Sequence, residues 1–147
     1  MKTKPTNNEF VIELDIPKSN NSIFYNPIVL FLWKNNKKWS IEFVSNNAIH
    51  LFGFTNIELM TERIDYKKLI HPDDLQRVIK EITGNGKSNS KTFYQFPYRI
   101  VCKTGEVKWV KNQISSKRNE SGKITHYHGT IVDVTHKIKP KTEVNSL

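Results

Sequence analysis

Cysteine is almost missing from this chain of 147 residues: Cys102 stands alone. A single thiol excludes an internal disulfide framework and suits a reducing compartment, so the expected location is the cytoplasm. Long apolar runs are missing too. Nothing approaches the roughly 18 consecutive apolar residues of a membrane span. Met1-Lys2-Thr3-Lys4-Pro5 also lacks the apolar core of a secretory signal. No Gly-x-Ser-x-Gly elbow, phosphate loop or His-Glu-x-x-His occurs, and the expectation is that the chain is not an enzyme. Acidic residues are scarce in one half only. Residues 1–75 hold 9 basic and 9 acidic side chains, whereas residues 76–147 hold 14 and 5. Such asymmetry can attract an anionic partner. Here the basic residues are dispersed rather than gathered around stacking aromatics, which argues against nucleic acid.

What the chain does have is alternation. Between Phe93 and Thr135 lie three strand-like runs. In the first, Tyr94, Phe96, Tyr98, Ile100 and Cys102 share one parity while Gln95, Pro97, Arg99 and Lys103 take the other, which predicts a single half-buried strand. Lys103-Thr104-Gly105-Glu106 supplies a hairpin turn, Glu106 to Ser116 a second strand, Asn119 to Gly122 a looser turn, and Lys123 to Val134 a third strand. Gly129 would let a neighbouring side chain approach closely, with Trp109 the expected neighbour. Further upstream, Pro27 to Trp33 is apolar on both parities, so both faces need cover. One face meets the core. The other calls for the N-terminal segment or a second copy of the chain, hence the expectation of a homodimer. Trp39 to Ser45 returns as a partner strand, with Trp39, Ile41 and Phe43 on one face.

Between these strands the period lengthens to that of helices. Ser45 or Asn46 can cap a short helix bearing Ala48, Ile49, Leu51 and Phe52, closed by Gly53 at positive φ. Thr55-Asn56-Ile57-Glu58 is a capping-box pattern. Pro72 suits a first helical position, with Asp73 and Asp74 at the positive end of the dipole. Leu75, Val78, Ile79 and Ile82 then form one stripe, and Gly84-Asn85-Gly86 stops the helix. Residues 1–8 show no periodicity, and Glu9 to Ile16 alternates as a short strand would.

These pieces resemble the PAS family. The match lies in Tyr98-Arg99-Ile100, Lys103 to Val110, and Gly129 leading into Asp133-Val134-Thr135, with Ala48, Phe52-Gly53-Phe54-Thr55, Glu58-Leu59 and His71-Pro72-Asp73-Asp74 further upstream. The resemblance implies an α+β fold: a five-stranded antiparallel sheet, order 2-1-5-4-3, with short helices on one face. The domain would occupy 27–136, between a flanking segment at 1–26 and a tail or linker at 137–147. It also implies a sensor that binds a small ligand or a partner and relays a conformational signal to an output module, such as a histidine kinase or a cyclic-dinucleotide enzyme. Pro140 discourages a long exit helix, and the chain reads either as a piece of a larger sensor, the favoured reading, or as a standalone domain. Ligand-free dimerisation is the alternative reading, and a nucleic-acid-binding domain the second.

Ile41, Phe43, Phe52, Leu59, Leu69, Val78, Ile82, Tyr98, Ile100, Ile114 and Ile131 are the expected lining of an interior pocket, with the Tyr98 hydroxyl as a polar anchor. By resemblance, Arg99, Trp109, Asp133 and Thr135 are relay residues. Capping explains His71, Asp73 and Asp74 without a metal. His126 and His128 share a strand face but have no third ligand at suitable spacing. The long helix has no histidine on its stripe, which argues against haem, and Cys102 sits on a strand, which argues against a light-oxygen-voltage flavin site. The cofactor, if any, is not readable.

Overall fold

The computed structural model describes residues 28–86 and 92–138. The expectations for residues 1–27 and 139–147 lie outside the described residues. In chain order the elements are β1 (Ile28–Lys34), β2 (Ile41–Val44), α1 (Ala48–Phe52), α2 (Asn56–Thr61), α3 (Tyr66–Leu69), α4 (Pro72–Gly86), β3 (Thr92–Tyr94), β4 (Tyr98–Val101), β5 (Val107–Arg118) and β6 (Ile124–Asp133). All pairings are antiparallel. The strands run β2-β1-β6-β5-β3, with β4 also paired to β5. β3 and β4 together occupy the place of the expected third strand, which is broken in two.

That break changes which side chains face inward. Tyr94 lies opposite Gln113 and Tyr98 opposite Val110, so four steps along one strand answer three along the other. One extra residue is therefore absorbed between them, and side chains switch faces across it. Phe93 and Gln95 turn inward at 9% and 4% exposure, while Tyr94 and Phe96 stand outside at 69% and 75%. From Tyr98 onward the expected parity returns, and Tyr98, Ile100 and Cys102 are buried.

The same device acts on β2. Leu32 pairs with Phe43 but Trp33 pairs with Ile41, leaving Glu42 as the extra residue. Ile41 and Val44 are buried and Phe43 is half exposed, on the outer face beside Leu32. Phe43 is thus removed from the expected pocket lining. On β1 the inward residues are Val29, Phe31 and Trp33, whereas Leu30 faces out.

The local signals hold for α2 and for the end of α1. Asn47 rather than Ser45 or Asn46 precedes α1, and its side chain donates to the Ile28 carbonyl instead of capping the helix. The helix α4 runs through Gly84 to Gly86 instead of stopping there. Thr55 Oγ1 accepts from the Glu58 backbone N–H at 3.0 Å, and the Glu58 carboxylate accepts from the Thr55 N–H at 2.8 Å. Gly53 closes α1 at φ +79°, a conformation open to glycine. No helix among the described residues is long and apolar enough to cross a membrane. Ala48, Leu51, Phe52, Leu59, Tyr66, Leu69, Val78 and Ile82 all join one core with the inward sheet residues.

Gly129 is buried between strands, but its close neighbour is Trp33, not Trp109. A Cβ built there would lie 2.7 and 2.9 Å from the Trp33 ring and 3.1 Å from Asn112 Oδ1. Trp109 points to the opposite face, where it pairs with Arg99.

Candidate functional site

The interior between sheet and helices is aromatic on one side. Trp33 stacks on Tyr66 at 4.7 Å between ring centres, and Phe31 meets Phe52 and Tyr66 edge-on at 5.4 and 5.0 Å. The structure brings ten of the eleven expected lining residues into this core, all except Phe43.

On the other side runs a polar seam that sequence reasoning largely missed. The hydroxyls of Tyr66 and Tyr98 lie 2.5 Å apart. Asn112 Nδ2 donates to the Tyr98 hydroxyl and to Gln95 Oε1, both at 3.2 Å. Gln95 Nε2 in turn donates to Glu81 Oε1 at 3.3 Å, and Arg77 donates to Glu81 at 2.9 Å and to the Pro97 carbonyl at 2.8 Å. Burial pushes the Tyr98 phenol up to about 12, and burial together with Tyr98 pushes Tyr66 well above its ordinary value. Both stay neutral at physiological pH. Two buried atoms find no hydrogen-bond partner among the described residues: Trp33 Nε1 and Asn112 Oδ1. Of these groups only the Tyr98 hydroxyl was anticipated. Asn112 carried a signal, being a polar residue at inward parity between Val110 and Ile114. Gln95 carried none, because its inward position depends on the bulge.

The second feature is the free edge of β4, met by the start of α4. The His71 N–H donates to the Arg99 carbonyl at 2.9 Å, and the Asp74 carboxylate accepts from the Arg99 backbone N–H at 2.7 Å, from Nε at 3.0 Å and from an Nη at 2.8 Å. Asp74 is therefore not a simple cap. His71 takes that part through Nδ1, which accepts from the Asp73 N–H. The Arg99 hydrogen bonds hold the Asp74 carboxyl below its ordinary range against the opposing effect of burial, and Asp74 raises Arg99 in return.

From Arg99 the contacts continue across the outer face. Its guanidinium lies 5.3 Å over the Trp109 ring. The Trp109 N–H donates to Thr135 Oγ1 at 2.9 Å, and Thr135 donates through its hydroxyl and its N–H to Asp133 Oδ1 at 2.6 and 2.8 Å. All four expected relay residues are in one contact path, and Asp74 extends it to α4.

The Cys102 thiol is buried, donates to the Leu51 carbonyl, and is pushed up by burial. That is the environment of a structural thiol rather than a nucleophile. His126 contacts Glu42 at 3.0 Å on the outer face. Among the described residues no group of three or more His, Cys, Asp or Glu is placed to hold a metal.

An antiparallel sheet cupping short helices around an aromatic interior, with a polar path from a helix start to the last strand, defines an α+β domain of the PAS class. Residues 41–131 match the PAS fold family, and the chain belongs to it. It is 36% identical over 110 residues to the methyl sulfide methyltransferase-associated sensor of Methanosarcina acetivorans, covering 75% of this chain but 11% of that protein. A PAS domain from Colwellia psychrerythraea superposes with a TM-score of 0.65 at 15% identity, covering 78% of this chain and 92% of that one. A sensory box histidine kinase/response regulator from Burkholderia thailandensis gives 0.61 at 20%, covering 85% and 88%.

Proposed function

We propose that this chain is the sensory domain of a longer signalling protein, in which occupancy of the interior biases α4 and the bias passes to an output module beyond β6. The observation that carries the reading is the unbroken path Asp74–Arg99–Trp109–Thr135–Asp133, which joins the start of α4 to the end of the last strand. A ligand displacing α4 changes the geometry of the Asp74–Arg99 fork, and the contact path through Trp109 and Thr135, charge-assisted at its two ends, hands that change on. Thr135→Val removes the acceptor for the Trp109 N–H and one donor to Asp133. In the longer protein the ratio of stimulated to unstimulated output should fall toward one, with the melting temperature of the domain nearly kept. A ratio equal to that of the wild type would remove the relay.

A homodimer through the outer sheet face is supported by a separate observation. Leu30 on β1 and Phe43 on β2 are each 48% exposed on the outer face of neighbouring strands. Phe31 faces inward, so the informative variant is Leu30→Lys. It should lower the mass measured by light scattering to that of a monomer. An unchanged mass would set this surface aside.

A further inference from the structure

We propose that the interior site selects a small neutral molecule with an apolar body and one group that both donates and accepts a hydrogen bond, such as a hydroxyl or carboxamide, and that Asn112 Oδ1 is the acceptor reading it. The proposal rests on the small-molecule reading above and adds the chemistry of the ligand. Its basis is the direction of the polar seam. Glu81 is a carboxylate and accepts only, so Gln95 must turn Nε2 toward it. Gln95 Oε1 then faces Asn112, which obliges Asn112 to present Nδ2 to Gln95. Both Nδ2 hydrogens are used, on Gln95 and Tyr98. Asn112 Oδ1 is left as a fully buried acceptor to which none of the described residues donates. A buried amide oxygen in that position is costly unless something donates to it.

The surplus on the donor side is equally specific. Among the described residues Trp33 Nε1 has no acceptor. Only one of the two hydroxyl hydrogens of Tyr66 and Tyr98 lies between them, and the other finds no acceptor among the described residues. A ligand group that gives to Asn112 and takes from one of these donors matches the surplus. A charged ligand does not. Asp74 is the one buried carboxylate among the described residues and is already held by Arg99, and the two tyrosines are neutral. An ion in this interior would lack a counter-charge.

Phenol, toluene and benzoate separate these claims, since they share a ring and differ in the group it carries. Titrated into the 15N-labelled chain, phenol should move the Asn112 side-chain amide and Trp33 indole resonances and bind at least fivefold more tightly than toluene. Benzoate should leave both resonances in place. Glu81→Gln frees both amides to turn over, and the preference for phenol should shrink about threefold while toluene affinity holds. Equal binding of phenol and toluene, as expected if the seam merely holds water, or tighter binding of benzoate, would overturn the anchor and keep the small-molecule reading. Binding of none of the three would overturn both.

Discussion

The central and edge strands of this sheet follow the same alternation rule and yet read differently. β5 and β6 run twelve and ten residues and stay in step from Val110 opposite Asp133 to Lys117 opposite His126, with Asn112 facing Ile131 and Ile114 facing Gly129. They slip only beside the hairpin that joins them, between Lys117 and Arg118. The edge strands each take up an extra residue, at Glu42 in β2 and between Tyr94 and Tyr98 beside β5. A central strand must keep register with two neighbours, so a bulge there has to be absorbed twice. An edge strand answers to one neighbour and can bend away. The polar attachments to α4 lie at the β3/β4 edge: Gln95 reaches Glu81 because the bulge turns it inward, and Arg99 reaches Asp74 from the side of β4 away from β5. The irregularity between Tyr94 and Tyr98 sits where the sheet is coupled to α4.

The sharpest way to break this contrast is to crowd the centre. Gly129→Val places a side chain where even the first carbon would lie within 3 Å of the Trp33 ring. With strands on both sides and an indole stacked on Tyr66, nothing there can yield cheaply. A loss of about 3 kcal/mol is expected from overpacking, read as a lowered urea midpoint at unchanged slope. Wild-type stability would mean that the centre of the sheet has slack.

The same contrast explains what was legible in the sequence. Strand alternation, the Thr55–Glu58 capping box, the Gly53 helix end and the family motifs each depend on a few neighbouring residues, so the order of the sheet and the core could be read from them. The faces of Phe43, Tyr94 and Phe96 could not, because one inserted residue leaves the hydrophobic pattern intact while reversing its meaning. Trp33 as the partner of Gly129 was hidden for another reason: it depends on how a side chain leans across strands. Asp74 was read as a helix cap because its local position permits that, and its role comes from a strand 25 residues away.

Removing the edge attachment should cost less than crowding the centre. Asp74→Asn keeps the shape but removes the charge that holds Arg99, and a loss of about 2 kcal/mol at neutral pH is expected for hydrogen bonds to a charged group. The Asp74 carboxyl is held below its ordinary value, about 4. Its contribution is therefore full above that value and is lost as pH falls through the lower value of the folded state. The gap between wild type and variant should accordingly close in acid. Urea midpoints at neutral pH and near pH 2 test this, and a gap that persists in acid would assign the effect to packing rather than charge.

The smallest effects belong to Phe43 and Phe96, two of the three aromatics that the bulges turn outward, and they discriminate most cleanly between an alternating strand and a bulged one. If alternation had held, Phe43 and Phe96 would be core residues, and truncating either to alanine would cost about 3–5 kcal/mol. With Phe43 at 48% exposure and Phe96 at 75%, Phe43→Ala should cost about 1 kcal/mol and Phe96→Ala less than about 0.5 kcal/mol. The difference is far larger than the error of a denaturation curve. A large loss at Phe96 would mean that the strand is continuous and that Gln95 points to solvent. The seam from Glu81 to Asn112 would then be broken at its second link, and with it the argument that fixes the direction of the buried amides.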